Sequence, residues 1–200
     1  MLIDNNLQKE IEANIIKYHM NPHFLHNFLN NLYSLALSKS EKTPETILLF
    51  AEIIKYINSS SAKKKVNVEN EINTIKKILK IFSIKFSKEV DIKLNIEKNT
   101  HFTEIAPMIL IPLIYNALIF SDISENQGFI NINISQFEMK FSFQITFSHL
   151  FIEISNNFDY NADITLENIQ KILSFKYGNK ASIFIHNKDY ITEYVLNIYQ

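Results

Sequence analysis

Asn21-Pro22-His23-Phe24-Leu25-His26-Asn27-Phe28-Leu29-Asn30-Asn31-Leu32 is the stretch on which the architecture turns. From Phe24 onward, Leu25, Phe28, Leu29, Leu32, Leu35 and Ala36 recur at helical spacing. At ~100° per residue they form one stripe, and His23, Asn27, Asn30 and Ser34 fall on the opposite one. Pro22 should kink the helix or interrupt its hydrogen bonds just before His23. An exposed, unperturbed imidazole at that position is a competent nucleophile near neutral pH. Spacing alone does not separate this from a solvated surface histidine.

Working outward, Thr43-Pro44-Glu45 reads as a helix start: an N-cap, a proline at the first helical position and an acid in the first turn. The stripe that follows is Ile47, Phe50, Ala51, Ile54 and Ile57. Two such helices joined by a short connection make an antiparallel hairpin. A hairpin with one apolar stripe per helix cannot bury itself alone, so it is expected to dimerise into a four-helix bundle. Leu25, Leu29, Leu32, Ile47 and Ile54 are the expected interface. Leu32→Asp should break it by burying an unpaired charge.

Ser59-Ser60-Ser61-Ala62-Lys63-Lys64-Lys65 is the best linker candidate. It divides the chain into an expected helical hairpin, 1–63, and an α/β sandwich, 64–200. A third helix carries Ile72, Ile75, Leu79, Phe82 and Phe86 on one face. Then the period changes. Val90, Ile92, Leu94 and Ile96 alternate with polar residues, as in a strand. Residues 105–120 read as a buried helix, too interrupted by Pro107, Pro112 and Asn116, and shorter than the ~20 residues needed, to span a bilayer. Alternation returns at Ile130, Ile132, Ile134 and at Phe141, Phe143, Ile145, Phe147. Further strands are expected near 151–155, 182–186 and 192–198, with a helix over 164–177. One-sided alternation predicts an α+β fold with helices on one face of a mainly antiparallel or mixed sheet.

Composition narrows the function. A hydrophobic fraction of 46% is ordinary for a globular chain that builds a core. The net charge of −1 gives no long-range field toward nucleic acid or an anionic membrane. Every basic residue is Lys, which removes the bidentate reader of guanine and phosphate. The absence of Cys excludes disulfides, thiolate metal sites and a Cys nucleophile, and fits the cytoplasm. No secretory signal is visible in the polar N-terminus. His19, His23 and His26 recur along the helix, but no acid or Cys completes a metal site. His101, His149 and His186 read as structural or solvated.

The opening string resembles the N-P-H-F-L-x-N phosphoacceptor motif of LytS-like sensor histidine kinases. The resemblance runs on through Ile53-Ile54-Lys55-Tyr56 and through residues 66–86, where Lys85-Phe86 stands for the family's Arg-Phe. It covers nearly the whole chain. It implies a dimerisation hairpin followed by a GHKL-type ATPase domain, two-component signalling, a response regulator as partner, and Mg-ATP as cofactor. By the same resemblance His23 is the phosphoacceptor and Asn27 its polar neighbour one turn on.

Two further motifs bear on ATP. Residues 105–117 resemble the family's N-box helix, P-x-x-x-x-P-x-x-E-N-A-x-K-H-G. Asn116 matches the Asn that holds the Mg²⁺ of Mg-ATP. Tyr115 stands at the acid, Ile119 and Phe120 at the Lys and His, and Ser121 at the Gly. Asn156-Asn157 and residues 163–173 resemble N-N…G-I-G-L-x-N-x-x-x-R-L. Asn157 and Asn168 are kept as nucleotide-binding positions. Asp163 and Thr165 replace the glycines that let backbone approach phosphate, and Ile172 replaces the Arg. The departures gather on the phosphate side, so weak or absent ATP-dependent autokinase activity is expected.

Three functions compete: a degenerate kinase acting in phosphorelay through His23 or as a regulatory partner, an active ATP-dependent histidine kinase, and a non-catalytic dimeric scaffold. Input is expected from a separate sensor protein or from a region outside this chain. No nucleic-acid partner and no membrane span are expected.

Overall fold

The computed structural model describes residues 22–61, 63–85, 90–97, 104–121, 128–149 and 166–199. Helix α1 is Pro22–Leu37 and α2 is Thr43–Ser60. The two-residue strand β1, Val66–Asn67, leads into α3, Val68–Lys85. Strands β2, Asp91–Ile96, and β3, Glu104–Ile105, precede α4, Ile111–Phe120. A hairpin of β4, Phe129–Phe137, and β5, Lys140–Ser148, follows. The chain ends with α5, Leu166–Tyr177, a 3-10 turn at Gly178–Lys180, and a second hairpin of β6, Ala181–Lys188, and β7, Ile191–Tyr199.

The main sheet has the order β2-β4-β5-β7-β6. β2 runs parallel to β4 and every other pairing is antiparallel. Alternation fixes which face is buried, because a one-residue slip would turn every apolar side chain to water. Ile132 pairs with Ile145, and Ile145 with Tyr194; Ile134 pairs with Phe143, and Phe143 with Leu196. All six are buried. Against this face lie Ile75 and Ile78 of α3, Leu113 and Ala117 of α4, and Ile169 and Leu173 of α5. The opposite face is polar, with Asn95 donating to Asn133 at 2.9 Å. The expected α+β sandwich and its helical preface are what the chain forms. The strand expected at 151–155, residues 164–165 of the expected helix, and Phe86 lie outside the described residues.

Three expectations change in detail. The segment is buried from Ile105 to Leu118, but only Ile111–Phe120 is helical. Pro112 belongs to the first turn of α4. Before it, Ile105 pairs with Val66 in a short ladder, and Met108 takes a positive φ of 60°, which no helix continues. Thr43 is not a side-chain cap. Lys42 holds the cap position, and the Thr43 hydroxyl donates back to the Ser40 carbonyl at 2.8 Å. Third, α1 carries two apolar lines where one was expected. Phe24 and Phe28 turn inward and are buried, while Leu29, Tyr33 and Leu37 remain exposed.

The hairpin is joined to the sandwich along α2 and α3. Lys77 of α3 pairs with Glu52 of α2 at 2.7 Å, and Lys80 pairs with Glu45. Both pairs are solvent-exposed and give register more than stability. The buried link beside them is stronger. Glu71 of α3 is fully buried, and its carboxylate accepts from the Tyr56 hydroxyl of α2, from Met108 N at 2.7 Å and from Leu110 N at 3.3 Å.

Candidate functional site

The N-terminal half of α1 lies against α4. The buried line of its amphipathic pattern, Phe24 and Phe28, packs against α4 and α2. The Phe24 ring meets Tyr115 edge-on at 4.9 Å, and Phe28 stacks on Phe50 of α2 at 5.4 Å. One turn after His23, the Asn27 amide Nδ2 donates to the Tyr115 hydroxyl at 2.7 Å. Tyr115 is 7% exposed. Burial pushes its phenol up to about 12, with the Asn27 hydrogen bond opposing, so it is neutral at physiological pH.

Beside this contact lies a cleft of about 600 Å³ between α1 and the sandwich. Asn30, Asn31 and Ser34 form its amide-rich wall, and Ile78, Ile81 and Leu118 its apolar wall. Asn27, Asn30 and Ser34 of the polar stripe therefore line this cleft while remaining exposed. Ile119 of α4 and Ser121 just after it complete the lining, and among the described residues no cationic side chain lines it.

The structure brings only some of the expected site residues together. Asn27 reaches α4 through Tyr115. Asn116 sits on α4 but is buried and does not line the cleft. His23 is in the first turn of α1 and Asn168 in the first turn of α5, but their side chains lie outside the described residues, as does Asn157. At the position where the family motif carries Arg, Ile172 packs into the sheet core with Ile169 and Leu173. Ile119 and the half-buried Phe120 stand where the family motif carries Lys and His, and the Ile172 side chain is core. Among the described residues no cluster of His, Cys, Asp or Glu could hold a metal ion.

Sequence reasoning missed Glu71 and its partners. Burial holds the Glu71 carboxyl above the ordinary carboxylate range, against the pull of its hydrogen bonds from Tyr56 and the Met108 and Leu110 amides. Burial first, and the Glu71 charge second, push the Tyr56 phenol up. The carboxylate thereby ties α2 to the turn that launches α4. The signal was present in the sequence: position 71 falls three after Val68 and four before Ile75, on the buried stripe of its helix.

The comparisons agree with this geometry. The histidine kinase family model matches residues 11–90. The sensor protein LytS of Bacillus subtilis is 27% identical over 116 residues, 58% of this chain and 20% of that protein. The Oceanobacillus iheyensis LytS is 22% identical over 195 residues, covering 92% of this chain and 33% of the relative. The Staphylococcus aureus sensor histidine kinase/phosphatase LytS is 21% identical over 124 residues, 62% of this chain and 21% of its own length. The chain thus spans a third or less of these relatives. Among solved structures, the Acinetobacter baumannii histidine kinase AdeS superposes with a TM-score of 0.51, at 12% identity over 84% of this chain and 83% of that one. A nucleotide-free catalytic domain of histidine kinase ThkA gives 0.51, at 17% identity over 68% and 95%. Hairpin and sandwich share the fold of these histidine kinase structures. In sequence the chain is similar to the LytS sensor proteins.

Proposed function

We propose that this chain is the hairpin and ATPase-like portion of a LytS-like sensor kinase that works in phosphorelay through His23, with weak or no ATP-dependent autokinase activity. The observation that carries the reading is position 115. The family motif places an acid there, and this chain places a buried tyrosine bonded to Asn27, one turn from His23. Apolar residues at 119, 120 and 172 support the same conclusion, since phosphoryl transfer from ATP depends on charge neutralisation and positioning. Histidine kinase catalytic domains generally use Mg-ATP, and the family motif carries charged residues at these positions.

In the proposed relay an imidazole nitrogen of His23 attacks the phosphorus of an aspartyl phosphate on a response regulator. The new N–P bond forms as the acyl-phosphate P–O bond breaks, and the regulator's carboxylate leaves. Asn27 acts as a positioning residue: it holds the helix turn bearing His23 against α4. The working unit is a cytoplasmic homodimer that receives its input from a sensor region or a separate sensor protein.

The test pairs two measurements. Calorimetry with Mg-ATP should show no binding at micromolar concentration; micromolar affinity would favour an active kinase. Incubation with the phosphorylated regulator should label the wild type and not His23→Gln. Equal labelling of both removes His23 from the mechanism. No labelling of either, with regulator binding intact, favours a scaffold.

A further inference from the structure

The net charge of −1 conceals a local asymmetry at one end of the sheet. The connection from α2 to β1 exposes Lys63, Lys64 and Lys65. Lys65 lines a second cleft, of about 450 Å³, with Lys176 and Lys180 from the end of α5 and the turn after it. Tyr199 lines the same cleft and pairs across the strands with Lys140, which in turn pairs with Phe137. Phe137, Lys140 and Tyr199 thus form one row on the polar face, continuous with the lysine cleft. Phe137 is 75% exposed and Met139 61% exposed, both at the tip of the β4–β5 hairpin, where Glu138 takes a positive φ of 50°.

None of these lysines is in an ion pair among the described residues. Against six of them stand Glu104 in the cleft and Glu138 at the tip. Two large exposed apolar side chains at a hairpin tip, with Lys140 beside them and the lysine cleft at the same end of the sheet, suit a surface that is both anionic and penetrable. A lipid interface has both properties: it accepts apolar side chains to a shallow depth and attracts nearby lysines. An acidic protein partner would satisfy the lysines but not the exposed Phe137 and Met139, which a lipid interface takes up. The cleft beside them carries three lysines against Glu104 and suits a phosphate headgroup. Nucleic acid is disfavoured because no Arg is present to read it.

We propose that this end of the sandwich docks peripherally on an anionic membrane surface, with Phe137 and Met139 entering the interface and the lysine cleft holding lipid phosphates. The site shares no lining residue with the cleft against α1, so it is independent of the phosphorelay reading. The test is co-sedimentation of the full chain with vesicles of phosphatidylcholine, with and without phosphatidylglycerol. Binding is expected only with phosphatidylglycerol and should weaken with salt. Each lysine near the surface contributes about fivefold, so Lys176→Gln with Lys180→Gln should weaken binding more than about tenfold. Phe137→Ser with Met139→Ser should weaken it severalfold while keeping the salt dependence. All four positions are on the surface, and circular dichroism checks that the fold is kept. Lys188→Gln, at the opposite end of β6, should bind like the wild type. The proposal is overturned if the chain stays in the supernatant, binds neutral vesicles equally well, or loses as much with Lys188→Gln as with the paired lysine variant. It is equally overturned if either double variant binds like the wild type.

Discussion

Two buried side chains carry most of what distinguishes this molecule. Tyr115 offers its hydroxyl to Asn27 and its ring to Phe24, and so fastens α1 to α4. Tyr115→Phe keeps the ring and loses the hydrogen bond. It should cost about 1 kcal/mol and speed amide exchange in the first turns of α1, read by hydrogen–deuterium exchange; unchanged exchange there would remove Asn27 from its positioning role. Glu71 is the second. Its carboxylate satisfies one hydroxyl and two backbone amides in the interior. Glu71→Leu strands those donors and should cost about 3 kcal/mol or more in urea denaturation. The pH dependence has a definite sign. Burial raises the folded-state value above the ordinary 4.5, so the folded state binds more protons than the unfolded state once the pH passes 4.5. Stability from this group is full below that value and is lost as pH rises through the raised one. Glu71→Gln should flatten the stability profile in that window, and a slope equal to wild type would show that Glu71 does not titrate there.

Among the elements, α1 and α2 leave the most unfinished surface. Leu29, Tyr33 and Leu37 of α1 and Ile47 and Leu48 of α2 are exposed, where a second hairpin would cover them in a four-helix bundle. Leu32 and Ile54 are half-buried within the chain, so charge at either would disturb the monomer as well. Leu29, 54% exposed, is the cleaner probe. Light scattering should give a dimer for the wild type and a monomer for Leu29→Asp, with the urea midpoint of the monomer fold unchanged. A wild-type monomer at micromolar concentration would overturn the bundle. The periodicity of α1 was legible, but its division into two apolar lines was not. Phe24 and Leu29 are both large and apolar, and only the position of α4 decides which one is covered. The lower half of the expected helix at 105–120 fails for a related reason. Its residues are apolar enough for any buried element, and the Glu71 carboxylate, distant in sequence, fixes the Met108 and Leu110 amides in a turn.

At the scale of the whole molecule, the hairpin and the sandwich share a core. Phe24, Phe28, Ile53 and Ile57 belong to the same buried cluster as the sheet residues, and Tyr56 is bonded to Glu71. We therefore expect one cooperative transition in denaturant, with far-ultraviolet and near-ultraviolet circular dichroism coincident. Two separated transitions would mean that 1–63 and 64–200 fold independently. The order of the helices and of the longer described strands, and the buried face of those strands, were legible in the sequence itself, which also named the candidate phosphoacceptor. They rest on local periodicity and on a short motif, and neither needs knowledge of distant neighbours. The tertiary structure decided what that pattern could not. It set Asn27 on Tyr115, turned the polar stripe of α1 toward a cleft, buried Asn116 and Ile172, and gathered lysines from three separate segments at one end of the sheet. The physical reason is that hydrogen bonding, burial and electrostatic clustering depend on which surfaces meet, and residues 27 and 115 or 65 and 180 meet only after the chain has packed.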